Sequence, residues 1–357
     1  MPYCLKFNLE ALVEFNHFLS SYYPDPSYGG DRLYADMVEQ AVLADRVGYR
    51  GVTIPEHHLI NILLVPDPLQ MAVKVASVTS RVEIVTSVSV LPLHDMRLFA
   101  GQAVQADILC EGRLIIGVGR GAFAYEMGRM GTPIENSREK FDESLNLLIS
   151  LFTQEEVSWD GKYYKFDPIT IMPRPVSKPM PQLMMAALIP EAIYASVKRG
   201  FHIQTTPLDA TLEKMKAQID AFHRGKAELG EAGKHLRLAL SRVCLLATDD
   251  ADAKRKTELA YEYYGRFNNV FTGPGIVEKG VIKSLPQKQT IEELSQNLII
   301  CTASEMVDRI SRYAELGIDD FIMNVNIGET QAESLEAMEK FADEVMPHIP
   351  AAEKCAA

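Results

Sequence analysis

The stretch from Val82 to Gly121 limits most strongly what this chain can fold into. Its β-branched run, Val82–Val90, has the pattern of a buried strand. A segment with helical spacing follows over Met96–Leu109, and Asp95 stands at its capping position. A second apolar strand is predicted over Leu114–Val118. A strand, a crossover helix and a second strand form the unit of a parallel sheet, whose functional groups gather where the strands end.

This alternation continues along the chain. Eight segments have the pattern of a strand, and each precedes a segment with helical spacing. The predicted strands are Leu5–Leu12, Gly51–Ile54, Val82–Val90, Leu114–Val118, Gln182–Ala187, Phe201–Thr205, Leu236–Ala247 and Asp320–Val325. The pattern predicts an α/β protein with a (β/α)8 TIM barrel, one domain over residues 1–357. A doubly wound open sheet is the alternative.

Two insertions are expected, after the fourth and the seventh strands. The first contains a hairpin over Val157–Phe166, where side chains alternate around Asp160-Gly161. The second, Gly265–Asn297, has no clean period, and long loops in compact domains are often functional. We expect it to be a lid over the active site. A long loop is also predicted over Phe15–Asp31, after the first strand.

Capping boxes mark the beginnings of two helices. Asn136 with Glu139 predicts one helix start, and Thr302 with Glu305 predicts another.

Composition narrows the class of protein. The formal net charge of −12 argues against binding to nucleic acid, because a protein that binds phosphates along a backbone is usually basic. The five cysteines are scattered and odd in number, which favours a reducing compartment. Neither a signal peptide nor an apolar run long enough to cross a bilayer is evident. We expect a cytoplasmic protein that does not bind membranes.

Glu56-His57-His58 follows the second predicted strand and allows three interpretations. A metal site is disfavoured because adjacent histidines on an extended chain point to opposite faces. Two alternatives stay open: the triplet holds loop ends together, or one histidine faces a ligand as a donor or proton shuttle. We therefore expect no metal here.

Glycines surround a single cation after the fourth strand. Gly117, Gly119 and Gly121 lack the spacing of a dinucleotide fingerprint. Arg120 between two of them could hold an anion; the alternative is a surface arginine on a glycine-rich turn. The position of the arginine at a strand end slightly favours the anion. At the end of the third strand, the small residues of Ser87–Ser89 would let a flat ring lie against the backbone; simple core packing is the alternative.

Aromatic residues in the loops expected at the barrel mouth could line an apolar pocket, or they could serve packing alone. They are Tyr22, Tyr23, Tyr28, Phe123, Tyr125, Phe267 and Phe271.

Several short motifs, taken in order, resemble those of the bacterial luciferase-like flavin monooxygenases. The resemblance covers most of the chain outside 265–297. The motifs are Pro55-Glu56-His57-His58, Val90-Leu91-Pro92-Leu93-His94, Glu111-Gly112-Arg113-Leu114, Gly117-Val118-Gly119-Arg120-Gly121, Phe141-Asp142-Glu143, Gly161-Lys162-Tyr163-Tyr164, Pro173-Arg174-Pro175 and the late segment Thr302–Phe321.

The resemblance implies a TIM barrel that binds reduced FMN where the strands end. O2 would form a flavin C4a-peroxide, which oxidises a small organic substrate. A non-proline cis peptide is implied near Ser87–Val90, under the flavin ring. His57 would be the catalytic residue, facing flavin or substrate, and Arg120 would hold the FMN phosphate. The residues expected to bind cofactor are Ser87, Val88, Ser89, Gly119, Arg120, Gly121, Ala187 and Leu188.

The resemblance also implies partners. The barrel leaves no second nucleotide domain, so a separate NAD(P)H:flavin reductase would reduce the FMN, and the family commonly forms homodimers. Two departures stand out: luciferase has a cysteine where Gly119 stands, and Ala187–Pro190 offers no hydroxyl to the phosphate. Two other functions fit the superfamily, namely hydride transfer with a deazaflavin and flavin binding without catalysis.

Overall fold

Eight parallel strands close into a barrel in the computed structural model, which describes residues 13–349. The strands, in chain order, are β1 (Glu14–Phe18), β2 (Gly51–Ile54), β3 (Glu83–Thr86), β4 (Ser89–Val90), β5 (Leu114–Gly119), β6 (Val157–Asp160), β7 (Lys165–Ile169), β8 (Leu183–Ala186), β9 (His202–Thr205), β10 (Leu238–Leu246), β11 (Val277–Glu278), β12 (Val281–Ile282), β13 (Ile299–Cys301) and β14 (Asp320–Asn324).

Helices surround the barrel. They are α1 (Gly30–Val47), α2 (Pro68–Ala76), α3 (Met96–Leu109), α4 (Ala124–Arg129), α5 (Ser137–Thr153), α6 (Pro190–Lys198), α7 (Leu212–Leu229), α8 (Asp250–Phe271), α9 (Ile291–Asn297), α10 (Ala303–Glu315) and α11 (Gln331–Glu344). No helix between residues 13 and 349 combines the length and the apolar character needed to cross a membrane.

The strand order confirms the predicted barrel. Around the ring the order is β1, β2, β3, β5, β8, β9, β10 and β14, and β14 pairs with β1 to close it. All these pairings are parallel, so every strand ends at the same rim. The open doubly wound alternative is therefore wrong.

The first strand is not where the sequence pattern placed it. Leu5–Leu12 lies outside the described residues, whereas all of β1 except Glu14 falls in Phe15–Asp31, the stretch predicted to be a loop. Asn16 and His17 interrupt the apolar pattern of β1, yet both are buried. Asn16 donates to Asp320 at 3.3 Å, and His17 bonds Gln40 at 3.0 Å. Tertiary partners thus make a strand of a segment whose polarity suggested a loop.

Helix caps follow the sequence at most of the predicted positions. Asp95 accepts a hydrogen bond from the Arg97 N–H, and Glu305 accepts one from the Thr302 N–H at 3.1 Å. The capping box at Asn136 is wrong. Its φ and ψ of −93° and −11° are already helical, because a 3-10 turn precedes α5, and its side chain makes no cap.

Both insertions are present. The first contains the predicted hairpin, β6–β7. In the second, α8 extends through Phe271 into the segment that has no clean period. The remainder of 265–297 contains the small hairpin β11–β12 and helix α9. We call residues 265–297 the lid segment. The Ile282 N–H in its hairpin donates to Asn61 Oδ1 at 2.9 Å, which ties it to the loop after β2.

Charged side chains fill the amino end of the barrel. Arg237 donates to Asp320 at 2.8 Å, and Arg50 donates to Glu83 at 2.9 Å. The cavity among them holds only about 20 Å³. We call this cluster the polar plug. Space for a ligand therefore lies at the opposite end of the barrel, where the strands end.

Candidate active site

Glu56, which follows β2, is a buried carboxylate at the centre of a hydrogen-bond network. It is 1% exposed and accepts bonds from His58 Nε2 and His94 Nε2, both at 2.9 Å, and from the Val90 N–H at 2.8 Å. Burial opposes its ionisation, but these three donors outweigh burial and hold the pKa of Glu56 at about 2. Glu56 therefore joins the end of β2 to β4.

His57 bonds a different carboxylate. Its Nδ1 lies 2.6 Å from Glu126 Oε1, while Glu126 Oε2 accepts the His58 N–H at 2.8 Å. Phe123 stacks on the imidazole, with ring centroids 4.3 Å apart. A carboxylate at Nδ1 favours the tautomer with its proton there. Over residues 13–349, Nε2 of His57 has no hydrogen-bond partner.

The two histidines thus point to separate partners, as expected for neighbours on an extended chain. Over residues 13–349, no group of three or more His, Cys, Asp or Glu side chains has an arrangement that could hold a metal.

Two adjoining cavities open beside His57. The smaller has a volume of about 230 Å³ and the larger about 740 Å³. His57, Ser87, Val88, Leu188 and Phe271 are among the residues that line both. The histidine therefore stands at the junction of two spaces.

The larger cavity collects most of the residues predicted to bind cofactor. It is lined by Ser87, Val88, Gly119, Arg120, Gly121, Ala187 and Leu188. Ser89 is the exception. It is buried on β4, which pairs with β5, and it lines neither cavity.

In the described part of the chain, four cationic side chains line the larger cavity, and the sequence pointed only to Arg120. The others are Arg138, Arg199 and Lys214. Desolvation, assisted by repulsion from Arg138, lowers the pKa of Arg120. Its Nη1 donates to Ser137 Oγ at 3.3 Å, and no carboxylate between residues 13 and 349 forms an ion pair with it. The part of the cavity beside Arg120 and Arg138 is therefore suited to an anion, although Asp142 and Glu191 also line the cavity.

Ser87 and Val88 line both cavities. The peptide bond Ser87–Val88 is cis, as the resemblance implied. A Cβ atom at Gly119 would lie 2.6 Å from Val88 Cγ2, which explains why this chain has no cysteine there. Ser87 Oγ donates to Gln204 Oε1 at 3.0 Å, and the buried Nε2 of Gln204 is left without an acceptor.

Aromatic rings enclose the smaller cavity. They are Phe18, Phe123, Tyr263, Tyr264, Phe267 and Phe271. Of the aromatic residues expected from sequence, Phe123, Phe267 and Phe271 are here, whereas Tyr22, Tyr23, Tyr28 and Tyr125 do not line it. Phe123 packs edge-to-face on Phe267 at 5.5 Å. Such walls suit an apolar or planar ligand.

Sequence reasoning missed Glu126 and Gln204. Glu126 lies 69 residues from His57, and Gln204 lies 117 from Ser87. Neither has a local pattern that separates it from an ordinary polar residue, so only the closed barrel reveals these pairs.

Comparisons with known proteins agree with this geometry. A family model described as luciferase-like monooxygenase matches residues 13–320. The oxygenase component of the flavin-dependent trigonelline monooxygenase of Acinetobacter baylyi is 27% identical, covering 88% of this chain and 90% of the relative. Limonene 1,2-monooxygenase of Rhodococcus erythropolis is 24% identical over 94% of this chain and 87% of its own.

Solved structures share the fold. Monooxygenase RslO1 from Streptomyces bottropensis superposes with a TM-score of 0.80 at 22% identity, covering 94% of this chain and 99% of that one. The oxygenating constituent of 3,6-diketocamphane monooxygenase from Pseudomonas putida, in complex with FMN, gives 0.76 at 18% identity, covering 96% and 100%. An F420-dependent secondary alcohol dehydrogenase gives 0.72 at 18%, covering 95% and 99%.

Proposed function

Because this chain belongs to the luciferase-like monooxygenase family, we propose that it is the oxygenase of a two-component system. It takes reduced FMN from a separate NAD(P)H:flavin reductase and uses O2 to oxidise a small organic substrate. The single observation that carries the proposal is the position of His57, held by Glu126 at the junction of an anion-binding cavity and an aromatic one.

The residues of the larger cavity fit FMN. A volume of about 740 Å³ lies within the usual ~300–1,000 Å³ of cofactor pockets. Arg120 and Arg138 supply positive charge for the phosphate, and they compensate for the hydroxyls that Ala187–Pro190 lacks. Gln204 lines the smaller cavity and bonds Ser87, which lines both, so its unpaired Nε2 would be available to a polar group of a ligand at the junction.

The chemistry that bound reduced FMN supplies is two-electron activation of O2, with one oxygen atom entering the substrate and the other leaving as water. The protein must hold the reactants together and keep water out. The six aromatic rings of the smaller cavity serve both needs. They offer apolar contact to the substrate, and the lid segment contributes two of them, Phe267 and Phe271.

His57 is placed to manage a proton. Glu126 holds Nδ1, so Nε2 is the atom free to accept or donate a proton at the cavity junction. Glu56 acts as a positioning residue. It accepts hydrogen bonds from the Val90 N–H and from His58, the neighbour of His57.

A separate reductase is supported in two ways. The relative from Acinetobacter is named as an oxygenase component, and between residues 13 and 349 the chain forms one barrel without a second nucleotide domain. We also propose that the lid segment covers the bound substrate, and that the protein forms a homodimer.

Rapid mixing tests the proposal. Anaerobic protein with reduced FMN should, on addition of O2, give a long-lived absorbance at shorter wavelength than that of oxidised FMN. Immediate appearance of oxidised FMN, at the rate seen without protein, would count against it. Turnover with a reduced deazaflavin in the absence of O2 would favour the hydride-transfer alternative, and flavin binding with no turnover in either assay would favour a binding protein.

A further inference from the structure

Arg242 on β10 is a buried cation beside the aromatic cavity, and no step of the proposed function uses it. The residue is 5% exposed and lines the smaller cavity. Within residues 13–349 it forms no ion pair with a carboxylate. Burying a cation without an anionic partner is costly, so such a residue needs an explanation.

Backbone carbonyls account for only part of its hydrogen-bonding capacity. Nη1 donates to the Leu208 carbonyl at 3.1 Å, and Nη2 donates to the Asn297 carbonyl. Nε, in contrast, is buried without an acceptor. The carboxylate that follows Leu208, Asp209, is occupied elsewhere, because it accepts from Asn268 Nδ2 at 3.1 Å.

The rest of the cavity lining is neutral or apolar. Among the residues of 13–349 that line it, Arg242 is the only lysine or arginine, and none is an aspartate or glutamate. Around it stand aromatic rings, of which Tyr264 and Phe267 are 6.0 Å apart between centroids. A neutral apolar substrate would leave the charge and the Nε–H of Arg242 unsatisfied. A planar anion would satisfy the guanidinium and the rings together.

We propose, on the basis of the function proposed above, that the substrate is a small aryl carboxylate and that Arg242 is its specificity-determining residue. The carboxylate accepts hydrogen bonds from the guanidinium, while the ring packs among Tyr264, Phe267 and their neighbours. A cavity of about 230 Å³ limits the substrate to one or two fused rings.

Binding measurements test this without requiring turnover. The full-length protein, with and without oxidised FMN, is titrated calorimetrically with three matched pairs: benzoate and benzamide, nicotinate and nicotinamide, 2-naphthoate and 2-naphthamide. At least one acid should bind at least tenfold more tightly than its amide. If no acid is preferred over its amide, the proposal is overturned.

Two variants assign the preference to the residue. Arg242→Met should abolish the preference for the acid because it weakens binding of the acid far more than binding of the amide, and Arg242→Lys should retain part of the preference. Arg309→Met is the matched control, because Arg309 donates to the neighbouring Gln296 carbonyl at 3.4 Å but does not line the cavity. An acid preference that survives in Arg242→Met, or is lost equally in Arg309→Met, overturns the assignment.

A purely structural role for Arg242 would lower the melting temperature and leave the acid-to-amide ratio of the folded fraction unchanged. If Arg242→Met does not fold, the acid-to-amide affinity ratios of the parent and of Arg242→Lys still test the role of Arg242. This test and the test of the proposed function can fail independently. A preference for the acid without binding of reduced FMN would contradict only the monooxygenase proposal. Flavin chemistry without a preference for the acid would contradict only the role of Arg242.

Discussion

His57 and His58 are adjacent, yet replacing each of them by alanine should impair a different property of the protein. His57→Ala removes the group that faces both cavities, and proton-transfer assistance is worth roughly 10²–10⁴ in rate. We expect this variant to fold and to bind reduced FMN, but to release hydrogen peroxide in place of oxidised product. The measurement is product formed per flavin oxidised.

His58→Ala is the matched comparison, because His58 donates to the buried Glu56. Losing that donor should cost about 1–3 kcal/mol of unfolding free energy while coupling of oxygen to product remains. A His57→Ala variant that couples oxygen as well as the parent does would return the triplet to a structural role.

Arg120 is expected to contribute to flavin binding through its charge. Charge-assisted hydrogen bonds to phosphate contribute roughly 1.5–3 kcal/mol, so Arg120→Ala should weaken reduced FMN binding by at least about tenfold. Arg129→Ala is the control, because Arg129 donates to the Tyr125 carbonyl and does not line the cavity. Equal FMN affinity in the parent and in Arg120→Ala would exclude this arginine from the site.

The Glu56–His58 pair should give the molecule a stability maximum in mild acid. The pKa of Glu56 is lowered from 4.5 to about 2, so its contribution is complete above pH 4.5 and is lost as the pH falls through 2. The hydrogen bond to Glu56 raises the pKa of His58 above 6.5, so that contribution is complete below pH 6.5 and is lost at higher pH.

The melting temperature of Glu56→Gln should accordingly lie furthest below that of the parent between about pH 4.5 and 6.5. Groups common to both proteins cancel in this difference. A difference that is constant from pH 3 to pH 8 would show that the pair does not titrate as described.

At the scale of elements, the lid segment should be the first part of the barrel mouth to open. Residues 272–290 contain only the two short strands β11 and β12, with lysines at 279, 283 and 288. Segments with few buried contacts open at low free energy. Limited trypsin digestion should cut here first, and FMN or substrate should slow the cut. First cleavage at Arg174 or Lys178, unaffected by ligand, would argue against a lid.

Helices and strands could be predicted from the sequence where the spacing of apolar residues and the capping residues indicated the same bounds. β2 and α3 have the bounds that the pattern predicted, and the cap at Asp95 is formed. β1 was missed because its polar residues are stabilised by hydrogen bonds to residues that lie far away in the sequence. The late turns of α8 were missed because Asn268, Asn269 and Gly265 interrupt its pattern, although the Asn269 amide binds the Ile276 and Lys283 carbonyls.

The candidate site was only partly predictable, for a different reason. His57 and Arg120 follow strands, and strand ends meet at one rim, so sequence order was enough to place them together. Glu126, Gln204 and Arg242 act through contacts that only barrel closure creates. Their chemistry depends on burial and on missing partners, and neither can be read from a linear pattern.

For the whole molecule, exposed apolar side chains on one side support the proposed homodimer. Leu98 and Leu109 on α3 are 67% and 51% exposed, and Met172, whose carbonyl lies beside Gly101 of that helix, is 74% exposed. Exposed apolar patches often mark interfaces. We expect light scattering to give about twice the chain mass of 39.8 kDa.

Leu98→Arg with Leu109→Arg should shift the mass to that of a monomer. Leu212→Arg on α7, where the side chain is 66% exposed, should not. A parent protein that is already monomeric at micromolar concentration would contradict the dimer.

The polar plug has a consequence for the order of events. Because the side chains from Arg50 to Arg237 fill the amino end of the barrel, the flavin and substrate that we propose would have to enter at the rim where the strands end. When two ligands share one opening, the ligand that binds deeper must bind first and dissociate last. Steady-state kinetics should then show a compulsory order, and an excess of the later ligand should trap the earlier one inside.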